Sequence, residues 1–362
     1  MIKYGVSEEY FINSFDFENR EGINVYENRK NTPVSLKAGV YDFSDSKILT
    51  FDGNGRLFEI GENLYANPKG KIGSPQLSVT VPENGFLVTF CGSFLTPLDE
   101  IYEEARQGAM FYSSTIPVLK PICASLDREK KTLKIKCEKP EKPAGKEIKF
   151  LFVGNSATYV SGTPLQFEGL CLSAGLNVSV DYCTFGCATF LEFADENHER
   201  GKKYRKMLKE KKYDYIVFQD AEFQSYENSE KALEILLPLA EENGGEPLLY
   251  MRYTSLGVDD IVKASKIHHD KYTRLSEKFG LVCAPSADAF LKSSLYSPEI
   301  NLNADDRNHH SKAGAYIIAC TWLETFLGKS PVGNRYISSL DEKTAEILQK
   351  TAHSVCKDGF IY

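Results

Sequence analysis

Two textures of apolar and polar positions divide the chain. Across residues 1–137 the apolar positions fall in short runs, Gly39–Phe43, Lys47–Phe51, Arg56–Ile60, Leu77–Val81 and Gly85–Phe90, separated by Gly, Pro, Asn and Asp. Runs of this length, rich in Val, Ile, Leu, Phe and Tyr, predict β-strands. Asp52-Gly53-Asn54-Gly55 lies between two of them, and Asp-Gly and Asn-Gly favour the positive φ that a tight hairpin demands. One segment breaks the pattern: Thr96 as N-cap, Pro97 at the first helical position, an acidic first turn and a closing Gly108 predict a helix. The stretch Glu138–Lys146, EKPEKPAGK, reads as a linker, because its prolines, glycine and lysines suit neither a strand nor a helix.

From residue 147 to residue 362 the texture changes to apolar runs alternating with segments of helical period. Strands are expected at Ile148–Val153, Asn177–Cys183, Tyr213–Phe218, Pro247–Arg252 and Leu281–Ala284. Helices are expected at Leu165–Ala174, Arg200–Lys211, Glu230–Glu242 and Val258–Phe279, with two more at Lys312–Phe326 and Asp341–Val355. Alternation of this kind implies right-handed crossovers and a parallel sheet covered on both faces. The expected architecture is a three-layer α/β/α domain with about five parallel strands, preceded by a β-rich domain over residues 1–137.

Composition narrows the function classes. The 362 residues, 42% hydrophobic and 26% charged, suit a globular protein of two domains. A net charge of −7 and a pI near 5.6 argue against nucleic acid or an anionic membrane surface as partner. No window approaches the roughly 18 apolar residues of a membrane span, and the N-terminus lacks the pattern of a leader, so a cytoplasmic location is expected. Nine cysteines without paired spacing fit reduced thiols. Composition carries no signal of an oligomeric state.

The candidate chemistry sits where the apolar run Ile148–Val153 stops at Gly154-Asn155-Ser156. Such a turn delivers a serine to the carboxyl edge of the sheet, where open α/β sheets place their sites. A serine hydroxyl is a weak nucleophile until a base takes its proton, and the base works best beside a carboxylate that fixes its tautomer. Asp306 and His309 supply both, and Asp305 and His310 beside them are the alternatives. The tetrahedral intermediate needs donors for its oxyanion, for which the backbone N–H groups of Ser156 and of Gly186 or Cys187 are suited. Four segments thus meet at one edge: Ser156, Gly186 to Thr189, Gln219 to Glu222, and Asp306 with His309.

In this order the blocks resemble the SGNH (GDSL-type) esterase superfamily. Val153-Gly154-Asn155-Ser156-Ala157-Thr158 resembles its bacterial variant with Asn before the nucleophile. Gly186-Cys187-Ala188-Thr189 resembles the second block, with Cys187 where a second glycine is common. Asp306-Arg307-Asn308-His309-His310-Ser311-Lys312-Ala313-Gly314 is similar to the D-x-x-H-x-S-x-x-G fifth block. The resemblance covers about residues 147–330. It implies a serine hydrolase acting on small-molecule or carbohydrate esters, often acetyl or short acyl, with Ser156 as nucleophile, His309 as base, Asp306 as its orienting partner, and no metal or organic cofactor.

The sequence departs from the family at the third block. In place of the usual G-x-N-D the third strand ends Phe218-Gln219-Asp220-Ala221-Glu222-Phe223-Gln224, so Gln219 or Gln224 is the expected substitute donor. Asn155, Arg252 and Tyr253 are expected to contact substrate, while Tyr250 suits core packing equally. Cys183 is expected in packing and Cys187 in the pocket lining. His268 and His269 read as solvated helix residues and His198 as an exposed loop residue. The alternative to an esterase is a non-catalytic protein on the same scaffold that binds a glycan or partner through its β-rich module.

Overall fold

The computed structural model describes residues 4–13, 23–28, 31–38, 47–62, 77–90, 121–127, 132–255, 258–304 and 308–362. The expected strand Gly39–Phe43 and the expected helix at Thr96–Gly108 lie outside these. The chain divides into two compact units, one formed mainly by Lys142–Asn303 and Asn308–Tyr362 and the other mainly by Lys3–Glu141.

The described part of the second unit consists of strands β1 (Tyr4–Asn13), β2 (Ile23–Glu27), β3 (Val34–Ala38), β4 (Lys47–Phe51), β5 (Leu57–Glu62), β6 (Leu77–Val81), β7 (Phe86–Phe90), β8 (Pro121–Asp127) and β9 (Thr132–Pro140). They pair antiparallel in the orders β1-β9-β8, β2-β7-β4-β5 and β3-β6. The β4–β5 connection is the expected hairpin. Asp52 Oδ1 accepts from the backbone N–H groups of Asn54 at 2.8 Å and Arg56 at 2.9 Å. Gly55 adopts φ +75°, and a Cβ there would stand 2.1 Å from the Ala124 carbonyl oxygen, so both its conformation and its surroundings demand glycine.

The linker expected at Glu138–Lys146 is shorter in the structure, because β9 runs on through Pro140 opposite Tyr4. The β8 pairing ends where Pro121 faces Cys137. Beyond that point β9 has, among the described residues, a neighbour on one side only, where a proline without an N–H is tolerated.

In the α/β unit, strand β10 (Ile148–Gly154) leads into helix α1 (Ser156–Tyr159), a 3₁₀ turn (Val160–Gly162) and α2 (Thr163–Ser173). There follow β11 (Val178–Thr184), α3 (Phe190–Ala194), α4 (Glu199–Glu210), β12 (Tyr215–Phe218), α5 (Tyr226–Asn243), β13 (Glu246–Tyr250), α6 (Ile261–Phe279), β14 (Val282–Ala284), α7 (Ser286–Tyr296), α8 (Lys312–Leu327) and α9 (Glu342–Asp358). All five strands are parallel, in the order β11-β10-β12-β13-β14. Among the described residues no helix is long and apolar enough to cross a membrane.

Every residue of β10 from Phe150 to Val153 is buried, which is why its sequence is continuously apolar rather than alternating. Phe150 and Phe152 face one core with Phe167 of α2 and Trp322 of α8. The Phe152 ring stacks on Trp322 at 4.8 Å, and Tyr250 meets the same indole edge-on at 5.0 Å. Leu151 and Val153 face the other core with Tyr204, Phe218 and Leu233. Helix α8 is buried almost all round, as its near-uniform apolar sequence requires. Helices α3 and α7 were not expected from periodicity. Yet α3 carries a capping box of Thr189 and Glu192, a signal visible in the sequence.

The strand order reverses at β10. The chain steps from β10 to β11 on one side, then returns past β10 to β12 on the other. Loops after β10 and β12 therefore diverge, and this is where a crevice opens in such sheets. Ser156 follows the first of these strands and Gln219 the second.

Candidate active site

Gly154 ends β10 in close quarters: a Cβ there would lie 2.6 Å from Thr158 Oγ1 and 2.9 Å from Gln219 Oε1. Only glycine lets the strand end approach the third-strand loop so closely. Asn155 then caps α1. Its Oδ1 accepts from Ala157 N–H at 3.0 Å, its Nδ2 donates to the Ala188 carbonyl at 3.0 Å, and its N–H donates to Gln219 Oε1 at 3.1 Å. The side chain expected to touch substrate is thus buried and turned inward, fastening the second block to the first. Ser156, half-buried, is the first residue of α1, a position whose N–H has no partner within the helix.

Gln219, the expected oxyanion donor, is also turned inward. Its Oε1 accepts from Asn155 N–H and from Thr158 Oγ1 (2.8 Å), and its Nε2 donates to the neighbouring Asp220 carbonyl. Buried at 1% exposure, it ties the loop after β12 to the loop after β10. Asp220 does likewise for the second block, accepting from Phe190 N–H at 2.8 Å.

In the second block Cys187 is exposed and adopts φ +55°. That is the left-handed conformation, which glycine adopts without strain. Cys183 is buried, and burial pushes its thiol up to about 12, which suits the expected packing role.

The fifth block begins beyond the described residues, since Asp305, Asp306 and Arg307 lie outside them. His309 is buried at 7% exposure. Its neighbour His310 is wholly buried: Nε2 donates toward the Val160 carbonyl (2.8 Å) with Thr163 Oγ1 at 2.7 Å, and Nδ1 faces Tyr253 Oη at 3.0 Å. Ser161 Oγ donates to the His310 carbonyl at 3.0 Å, and Gln166 Nε2 donates to the carbonyls of Ser161 and Lys312. The residue beside His309 is thereby locked to the segment that begins four positions after Ser156.

Tyr253 and Arg252, expected to contact substrate, are both buried. Tyr253 is fully buried, its ring stacked on Phe290 at 4.6 Å and its hydroxyl 3.2 Å from the Asn308 carbonyl. Arg252 is ion-paired with Glu222 (Nη1 to Oε2, 2.8 Å) and donates to Ser255 Oγ at 3.2 Å. Glu222 also faces His268 Nε2 at 3.4 Å. Burial alone would raise the Glu222 carboxyl; His268, Arg252 and Ser255 together outweigh it and hold the group at about 2.

Sequence reasoning placed Glu222 and Asn308 at the active edge without giving either a role of its own, did not name Ser255, and misplaced His268. That histidine is buried on α6 with Ser265, Tyr272 and Leu275, spaced by threes and fours, so its place on the inward stripe was readable. His269, likewise read as solvated, pairs with the buried Asp288 at 2.9 Å. His198, expected as an exposed loop residue, is half-buried and caps α4, its Nδ1 accepting from Arg200 N–H.

No family model matches the chain, and no curated protein matches it. Among solved structures, a DUF4886 family protein from Bacteroides uniformis is 17% identical, with a TM-score of 0.51 over 60% of this chain and 98% of that one. A proposed SGNH hydrolase from Slackia heliotrinireducens is 22% identical over 50% of this chain and 100% of that one, with a TM-score of 0.44. A catalytic variant of an acetylxylan esterase from Geobacillus stearothermophilus is 16% identical over 53% and 99%, with a TM-score of 0.41. The last two are too distant in shape to carry an argument. The first likeness shows the fold, and the α/β unit of this chain has the three-layer arrangement that its resemblance to the SGNH hydrolases predicts.

Proposed function

We propose that the α/β unit is a serine esterase that removes short acyl groups, acetyl above all, from small-molecule or carbohydrate esters. The observation that supports this best is the joining of two distant blocks. Ser156 opens a helix at the point where the strand order reverses, and the residue next to His309 is hydrogen-bonded to the turn directly downstream of it. In this reading Ser156 Oγ attacks the acyl carbon while the imidazole of His309, oriented by Asp306, takes its proton. The alcohol leaves with that proton. Water then hydrolyses the acyl-enzyme with His309 again as base, releasing the acid.

The oxyanion falls to backbone donors, the N–H groups of Ser156 and of Gly186 or Cys187. The turn of Gln219 toward Asn155 and Asp220 favours a supporting role for it, with the second-block loop held by Asn155 doing what the missing asparagine does elsewhere in the family. Loss of one such donor costs roughly 2.7–4 kcal/mol in rate, so slow turnover on a generic ester is expected.

The test is hydrolysis of an activated acetyl ester by the whole chain and by Ser156→Ala, with an organophosphonate probe read by mass spectrometry. Turnover and labelling at Ser156, both lost in the variant, are expected. A folded chain that shows neither would end the esterase reading and turn attention to glycan binding by the β-rich unit.

A further inference from the structure

The charged cluster around Glu222 lies after β12 and β13, on the side of the site away from Ser156 in sequence, and the acyl-transfer chemistry does not use it. Taking charges out of water is costly, and an apolar cluster of the same volume is often at least as stable. A cluster kept at that cost calls for a purpose. Several of its contacts lead toward one stretch of backbone. Ser255 Oγ stands 2.9 Å from Glu222 Oε2 and 3.0 Å from Asn308 Oδ1, with the Asn308 carbonyl at 3.5 Å. The hydroxyl has one proton to give, to Glu222 or to Asn308, and accepts from Arg252 Nη2. Arg252 in turn is held by Glu222, and its guanidinium lies 5.0 Å over the Tyr253 ring. Tyr253 Oη meets the Asn308 carbonyl at 3.2 Å and His310 Nδ1 at 3.0 Å.

We propose that Ser255 and Glu222 are positioning residues that fix the backbone at Asn308 and so set the imidazole of His309 against the reacting serine. The proposal rests on the reading of His309 as the base. Segment 252–255 grips the chain on both sides of that residue: Ser255 and Tyr253 at Asn308, Tyr253 again at His310. The His310 contact belongs to a buried network in which the Tyr253 hydroxyl stands between His310 Nδ1 and the Asn308 carbonyl. The Asn308 contact depends on the ion pair, because Arg252, held by Glu222, donates to Ser255 Oγ and leaves the hydroxyl's one proton for Asn308 Oδ1.

Small errors of placement at a general base are expensive, with a displacement of about 1 Å able to cost on the order of 100-fold in rate. Ser255→Ala removes the link with little change in volume. The expected result is a fall in kcat of about tenfold with KM unchanged within about twofold, an unaltered thermal midpoint, and recovery in Ser255→Thr, which keeps the hydroxyl. Glu222→Gln, which takes away the charge that holds Arg252, should show the same split between kcat and KM.

Hydrogen exchange of the peptide covering residues 308–310 gives a second readout that needs no turnover. It should rise in Ser255→Ala relative to the parent chain. Unchanged exchange, or a variant that keeps the parent's kcat, would overturn the proposal. An inert parent chain would overturn the role in turnover together with the esterase reading, while exchange alone would still decide whether the brace exists.

Discussion

At Gly154 one missing side chain lets two loops share a space: Thr158 Oγ1 and Gln219 Oε1 occupy the volume a Cβ would need. Both atoms belong to side chains already hydrogen-bonded to each other, so neither can swing away without breaking a buried bond. Gly154→Ala is therefore expected to destabilise the chain by about 1–3 kcal/mol through overpacking and to abolish probe labelling of Ser156. Labelling at the parent rate would show that the loop tolerates a methyl group. At this scale the sequence was legible where a residue type has one use. The Gly-Asn-Ser turn and the Asp-Gly-Asn-Gly hairpin carry their geometry in their chemistry. Gln219, Asn155 and Tyr253 were not legible in the same way. An amide or a phenol serves equally as a ligand to substrate or as a brace, and which of these it is depends on neighbours 33 to 64 positions away.

Among the elements, α6 and the loops after β12 and β13 share the Glu222 cluster, and its electrostatics give a pH signature. The Glu222 carboxyl is held at about 2, well below its ordinary 4.5. A depressed carboxyl contributes stability that is fully present above the unfolded value and is lost as pH falls from there through the folded value. The window is thus pH 4.5 down to about 2. With partial exposure screening the charges, the contribution is on the order of 2 kcal/mol. Urea midpoints measured across that window should fall less steeply in Glu222→Gln than in the parent chain. Equal slopes would mean that Glu222 titrates alike in the folded and unfolded chain. The parallel strands were readable from their continuous apolar runs, and helix boundaries shifted by a few residues according to caps such as Ser225 at the start of α5. Helix α3 was hidden by its length of five residues, too short for a periodic pattern to declare itself.

For the whole molecule, sheet order follows from chain order by simple rules, and the doubly wound arrangement was within reach of the sequence. The reach of β9 through Pro140 was not. Proline reads as an interruption unless one knows that its strand has, among the described residues, a single neighbour at that point, and that is a fact about pairing rather than composition. The division of labour between cores has the same origin: Phe150 and Leu151 are equally apolar in the sequence, and only the pleat assigns them to opposite faces.

The hydrogen bonds that converge on Asn155 join the ends of β10 and β12 to the second-block loop at a single buried point. A junction of that kind has no partial state, because each loop is an anchor for the other two. The three loop ends are expected to open only with the sheet edge, as part of the same cooperative unit as the core strands. In a denaturant titration the loss of serine-probe labelling should coincide with the loss of helical circular dichroism. Labelling that disappears at lower denaturant would reveal a site that opens by itself. On the esterase reading, variation in substrate preference is expected from side chains outside the knot, since drift within it is felt as instability of the fold.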